Sequence, residues 1–451
     1  IGGTRIYPPG ELANLIRQLG IQEVIICMPS LSAAKRQNII TDLSTHGIAI
    51  RSLPPLNDLA SGRVLISQLH EVDIGDILGR SSVPADPELL DTMLNGRSIL
   101  VTGAGGSIGS ELCELIARWS PRKLILLEAS EFMLYQIERK LKKQYDIPIV
   151  PILGSVSDEA LVNRIFGTES VQAVFHAAAH KHVPLVEANA LEGVRNNVFG
   201  TRTIARAAYE AGVEHFVLIS SDKAVRPANV MGATKRWAEL VIGQLARRAI
   251  AEETGQKFCS VRFGNVLASN GSVVPLFKEQ IAQGGPVTIT DNEMTRYFMS
   301  IHEAAELIVQ AGALSQGGDT FILEMGEPMR IRDLAENMIR LSGATVRSEE
   351  NPGGDIAITV IGRRPAEKLS EELFYDPDSV RPTRFPKILR APGDHRINER
   401  LNEELEKLAR ALKEQNEVEL RKILFEFLSG RQPGTGDAKI VPISRAKDAG
   451  T

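Results

Sequence analysis

From Arg97 onward the chain alternates short apolar runs with amphipathic stretches, the pattern of strands and helices that take turns along a chain. RSILVTG (97–103), KLILLEAS (123–130), PIVPILGS (148–155), VQAVFHAAA (171–179) and VEHFVLISSDK (213–223) have strand length. Between the first three, GSIGSELCELIARW (106–119) and QIERKLKKQY (136–145) carry helical periodicity. Runs this continuously apolar belong to strands covered on both faces, which predicts an α/β fold built on a doubly wound parallel sheet of the Rossmann type.

Upstream, ELANLIRQLG (11–20) places Leu12, Leu15, Ile16 and Leu19 on one helical face and stops at Gly20. EVIICMP reads as a strand, residues 32–46 as a helix and GIAIRSLP as a second strand, so residues 1–80 predict a small βαβ domain. Residues 81–97, rich in turn formers and proline, predict a linker. The dinucleotide domain then spans 98–263 and a substrate lobe with longer loops spans 264–392. A charged helical segment follows over 393–429, and 430–451 has the composition of a disordered tail.

Composition narrows the function. The 451 residues are 43% hydrophobic, enough for more than one core, and carry a net charge of −4, which gives no general attraction to nucleic acid. Cys27, Cys113 and Cys259 lie far apart without metal-ligand spacing, consistent with a reducing compartment. No apolar run reaches the roughly 18 residues of a membrane span. The chain opens at Ile1 in mid-pattern, and we read it as a soluble fragment of a longer protein.

Two motifs carry chemistry. TGAGGSIGS puts Gly103, Gly106 and Gly109 between a strand and a helix, with Glu128 closing the next strand. Those glycines allow a pyrophosphate to approach the helix N-terminus, and the carboxylate suits an adenosine ribose while repelling a 2′-phosphate, so NAD is expected rather than NADP. HAAAHKH (176–182) ends a strand in small residues over which a cofactor can lie. It has no carboxylate or cysteine to complete a metal set, and no metal is expected.

TGAGGSIGSE, HAAAHKHVPLVE, NNVFGT, SSDKAVRPANVMGATKR, VRFGNVLASNGSVVPLF, MTRYFMSIHEA and RRPAEKL, in this order, resemble the extended short-chain dehydrogenase/reductase superfamily. More narrowly they resemble its UDP-N-acetylglucosamine 4,6-dehydratases of bacterial polysaccharide and glycan biosynthesis, in their long membrane-anchored form. The resemblance covers about 97–376, with 1–80 similar to the cytoplasmic domain ahead of the core. It implies a homo-oligomer at the cytoplasmic face of the inner membrane, anchored through a segment outside this chain.

The cofactor contacts so implied are Gly103, Gly106, Ser107, Ile108, Gly109, Glu128, Ser130, Ser155, Val156, Ala177, Ala178, Ala179, Lys181, Asn197, Ser220 and Lys235. For the UDP-sugar they are Lys181, Asn265, Ser272, Val273, Arg296, Arg364 and Glu367. Three departures stand out. Ser155 replaces an aspartate that holds the adenine amine, Ala366 replaces the glycine of an RPGEK loop, and Met231 occupies the position of the superfamily's tyrosine.

The implied reaction takes hydride from C4, eliminates water across C5 and C6, and returns hydride to C6. Ser221 would accept the C4 hydroxyl proton, Lys223 the C5 proton, and Asp222 would protonate the leaving hydroxyl, with Lys235 on the nicotinamide ribose. An ordinary Asp–Lys pair has the opposite protonation states, so the pocket must move both toward neutrality. Methionine in place of tyrosine resembles the C5-retaining group, and retention is expected. The alternatives are a UDP-sugar 4-epimerase, a C5-inverting dehydratase and a non-catalytic NAD-binding scaffold.

Overall fold

The computed structural model describes residues 5–28, 31, 33–44, 46, 48–52, 70–71, 85–269, 271–392 and 400–429. A nine-stranded sheet forms its centre. In chain order its strands are β1 (Ser98–Thr102), β2 (Lys123–Glu128), β3 (Ile149–Leu153), β4 (Ala173–His176), β5 (His215–Ile219), β6 (Lys257–Arg262), β7 (Thr320–Leu323), β8 (Arg381–Pro382) and β9 (Ile388–Arg390). Their spatial order is β8-β9-β7-β6-β5-β4-β1-β2-β3. All are parallel from β7 to β3, and β9 and β8 add an antiparallel edge.

Helices α1 (Ser107–Arg118), α2 (Glu131–Gln144), α3 (Glu159–Glu169), α4 (Thr201–Glu210), α5 (Val230–Ala251) and α6 (Ile301–Leu314) connect and cover the sheet. Every residue of β1 and β4 is buried, as their unbroken apolar runs require. Strand order reverses between β1 and β4, and the crevice outside their carboxyl ends is where such sheets hold ligands.

Two expected boundaries shift. The stretch read as a linker contains a helix, Pro87–Leu94, capped by Asp86 accepting from the backbone N–H groups of Glu88 and Leu89. Leu90, Met93 and Leu94 join the main core, so this segment belongs to the dinucleotide domain. The substrate lobe is not one continuous block either, because α6, β7, β8 and β9 lie inside 264–392 and complete the central sheet and its cover. Apolar strand residues such as Phe321 and Ile322, fully buried, draw the chain back to that sheet.

The lobe itself gathers around Val274, Phe277, Val287, Leu334 and Ile339. Two helices, Arg400–Lys413 and Glu417–Ser429, pack on α5, where Trp237 Nε1 donates to the Leu424 carbonyl at 3.0 Å and its ring lies 4.8 Å from Phe427. Near the start of the chain, Glu23–Ile26 pairs in parallel with Ala49–Ser52 over a small core of isoleucines and Leu43. The expected tail, 430–451, lies outside the described residues. Among those described, no helix is long and apolar enough to cross a membrane.

Candidate active site

The β1–α1 turn is built by close approach. Gly103 has φ +63°, and a Cβ there would stand 2.8 Å from the backbone of Ala178; one on Gly109 would stand 1.9 Å from Gly103 O. Helix α1 therefore starts directly against the turn, and the turn itself lies against the backbone of Ala177 and Ala178. Gly106 is its N-cap, and no side chain caps it, so the first turn at Ser107, Ile108 and Gly109 presents backbone amides as an anion site does. Glu128, ending β2, accepts from the backbone N–H of Gly105 and of Ser130, each at 3.0 Å. The carboxylate is thus held rigidly one turn from the helix start, where a ribose diol attached to that anion would lie. Ser155 Oγ accepts from Ser157 N after β3, and neighbouring Val156 is buried. These residues fit a dinucleotide.

His176 is fully buried at the end of β4, between Thr102 Oγ1 at 2.7 Å from Nδ1 and Thr201 Oγ1 at 2.9 Å from Nε2. Thr201 donates its own hydrogen to Asn197 O, so it accepts from Nε2–H, while Nδ1 accepts from Thr102. Burial, and secondarily the Lys235 charge, push the His176 pKa down to about 3 and keep the ring neutral. Asn197, in a π-helical turn (Arg195–Gly200), accepts from His180 N and donates to His180 O and Thr234 Oγ1. It braces the 177–181 strip against α5. Lys181 is exposed overall, yet desolvation by the surrounding wall lowers its pKa.

The chemistry-bearing cluster stands where β5 runs out. Ser221 Oγ donates to Asp222 Oδ1 at 2.8 Å, and Lys223 Nζ donates to the same oxygen at 3.0 Å. Lys223 also reaches Asn265 Oδ1 at 3.3 Å, which joins the β5 end to the lobe. Asp222 is 1% exposed, and its Oδ2 is buried with no partner among the described residues. From α5, Lys235 donates to Ile219 O at 2.7 Å; burial, partly offset by Glu239, pulls its pKa down to about 8. Ser220 turns its hydroxyl to Glu239 at 2.7 Å, into a buried group with Arg236 and Arg262. Met231 is 3% exposed and packs with Val194, Val198 and Trp237.

In the lobe, Ser272 is the N-cap of the helix Val273–Ala282 but does not bond to it, and its Oγ is buried without a partner among the described residues. Arg296 is committed to the neighbouring loop, donating through Nη1 to Thr295 O and Leu369 O and through Nη2 to Lys368 O. Those three carbonyls occupy the fork that the sequence suggests for a diphosphate. Glu367 accepts from Arg364 N at 3.1 Å and from Thr290 Oγ1 at 3.4 Å, folding 364–367 into a tight turn. Ala366 sits in that turn at φ +62°, the left-handed conformation a glycine takes without strain. One residue of this site escaped sequence reasoning. Glu371 Oε1 lies 3.8 Å from Lys223 Nζ, and nothing in its local sequence (SEEL) distinguishes it from a surface glutamate.

A reversed strand order, a glycine turn under a helix start and an acid on the next strand define a dinucleotide-type Rossmann protein with an added ligand lobe. The chain belongs to the polysaccharide biosynthesis protein family, whose model matches residues 99–393. It is 43% identical over 390 residues to the capsular polysaccharide biosynthesis protein CapD of Staphylococcus aureus, covering 86% of this chain and 63% of that one. The chain thus spans under two thirds of that relative. It is 32% identical to a Campylobacter jejuni UDP-N-acetylglucosamine 4,6-dehydratase (inverting), over 64% of this chain and 80% of that one. Among solved structures, Pen from Bacillus thuringiensis aligns with a TM-score of 0.59 at 31% identity, covering 67% of this chain and 90% of that one.

Proposed function

We propose that the chain is the catalytic part of an NAD-dependent UDP-N-acetylglucosamine 4,6-dehydratase that retains the C5 configuration. The observation that carries this reading is the pairing of Lys223 and Asp222 at 3.0 Å beside Ser221, with Lys235 anchored behind them on Ile219 O. A 4-epimerase needs proton transfer only at O4. Elimination needs in addition a base for C5–H and an acid for the leaving O6, and two further groups are present here.

NAD would lie with its pyrophosphate on the start of α1, its adenosine ribose on Glu128 and its nicotinamide ribose near Lys235. When bound, it supplies a hydride acceptor for C4 and a donor for C6. Ser221 takes the O4 proton as its own hydroxyl proton passes to Asp222 Oδ1, which already accepts from it and so becomes the acid for the later step. Lys223, as the amine, removes the proton from C5 while the C5–C6 double bond forms. Asp222 protonates O6 as the C6–O6 bond breaks, and water leaves. Lys223 then returns its proton to C5. Met231, inside an apolar cluster, has no proton to give, so one base serves both steps on one face and the configuration is kept. The Campylobacter relative's name specifies inversion; retention is our reading for this chain.

Lys181, Asn265, the Ser272–Val273 helix start, Arg364 and Glu367 line the sugar and diphosphate side of this reading, with Arg296 bracing their loop. Incubation with UDP-N-acetylglucosamine followed by mass spectrometry tests it. Loss of one water supports dehydration, an unchanged mass points to epimerisation, and no turnover of any UDP-sugar leaves a binding protein. Proton NMR of fresh product reads C5, and an L-arabino product overturns retention.

A further inference from the structure

The ammonium of Lys223 is not held by the β5 end alone. Nζ contacts Asp222 Oδ1 at 3.0 Å and Asn265 Oδ1 at 3.3 Å, and Glu371 Oε1 stands 3.8 Å away on the lobe side. The Glu371 side chain is 5% exposed. A carboxylate is costly to bury unless a cation or donors compensate it, and among the described residues Lys223 is the one cation within 4 Å of it. Its second oxygen, Oε2, is buried with no partner, as is Asp222 Oδ2. Two carboxylates therefore share one ammonium, and each keeps one open oxygen.

This arrangement has a chemical consequence. An ammonium closed onto a single carboxylate would hold acid and base in one another's grip. A second anion, contributed by the lobe, shares that attraction, and the two open oxygens are free to accept from the hydroxyl groups of a ligand.

We propose that Glu371 is a positioning residue for Lys223, tethering from the lobe side the nitrogen that Asp222 holds from the β5 end, and leaving Oε2 for a hydroxyl of the bound sugar. The role in turnover rests on the dehydratase reading; the hold on Lys223 does not. Two measurements on the full chain separate them. In the first, without substrate, trace acetylation followed by peptide mass spectrometry compares Lys223 with the exposed Lys142. Glu371→Gln loosens the lobe-side hold on Nζ, and Lys223 labelling should rise about threefold or more, with Glu371→Asp falling between that variant and the parent. Unchanged labelling in Glu371→Gln overturns the proposal.

In the second, turnover of UDP-N-acetylglucosamine should fall about 50-fold in Glu371→Gln, with KM within threefold, a displaced limb in the pH profile of kcat and partial recovery in Glu371→Asp. A raised KM with unchanged kcat and pH profile makes Glu371 an ordinary binding group and overturns the proposal. If the parent chain turns over no UDP-sugar, the dehydratase reading fails while the labelling experiment still decides whether Glu371 holds Lys223. Should Glu371→Gln fail to fold, Glu371→Asp serves in both measurements. Its shorter reach should then give intermediate labelling and turnover, and parent-like values in both overturn the proposal.

Discussion

Lys235 on α5 donates a hydrogen bond of 2.7 Å to the carbonyl oxygen of Ile219, so a buried cation is tethered to the last residue of the strand that carries the candidate chemistry. Burial brings its pKa from the usual lysine range to about 8. Because the folded-state value is depressed, the unfolded chain binds more protons between pH 8 and 10.5, and stability rises with pH across that window. Below pH 8 the whole penalty, about 3 kcal/mol, is present.

Lys235→Met removes that penalty and loses one hydrogen bond worth about 1 to 1.5 kcal/mol. The variant should be about 1 to 2 kcal/mol more stable at pH 7 and should lose its advantage as pH rises to 10.5, while turnover drops at least about a hundredfold. Urea denaturation at several pH values measures this; a variant less stable than the parent at pH 7 contradicts the account.

Asp222→Asn and Lys223→Ala should each reduce formation of the 4-keto-6-deoxy sugar by about a hundredfold or more, with NAD still bound. Since the two side chains share a hydrogen bond, the double variant should be little worse than the single ones. Near-parental rates in either single variant show that the chemistry lies elsewhere.

Ala366 holds φ +62° in the turn that presents Glu367. A residue with a Cβ pays about 1 to 2 kcal/mol there, and glycine avoids it at some cost in unfolded-chain entropy. Ala366→Gly should stabilise the fold by about 0.5 to 1 kcal/mol without changing the site. Thermal unfolding decides the sign.

His302 on α6 bonds Glu111 of α1 at 2.7 Å and lies 3.1 Å from Glu306. The Glu111 contact, then Glu306, raises its pKa to about 9. With the folded value above the unfolded one, its stabilising effect is complete below about pH 6.5 and fades as pH rises toward 9. Glu111, held below the usual carboxylate range mainly by that bond, loses its share only in acid. His302→Gln should flatten the decline of stability between pH 6.5 and 9. A slope identical to the parent's removes the triad from the explanation.

Much of this architecture is written locally. Strands β1, β2, β4 and β5 show in the sequence because burial on both faces leaves them almost no polar residue. Gly103 shows because its backbone must pass Ala178 at contact distance. The helix after Asp86 was masked by the Pro87 beside it, which reads as a breaker but is equally at home in a first helical turn. Arg296 displays a fork in the sequence, whereas only the folded loop reveals which acceptors fill it. Glu371 is legible only in three dimensions, since it acts on a partner that distant packing delivers.

The sheet recruits β7 and β9 from beyond the first lobe segment, so the polypeptide passes between scaffold and lobe more than once. Grafting another relative's specificity onto this chain is therefore no cut-and-paste of a terminal cassette. A working chimera would have to exchange at least two separated inserts, on either side of α6 and β7, while leaving those shared staves of the sheet untouched.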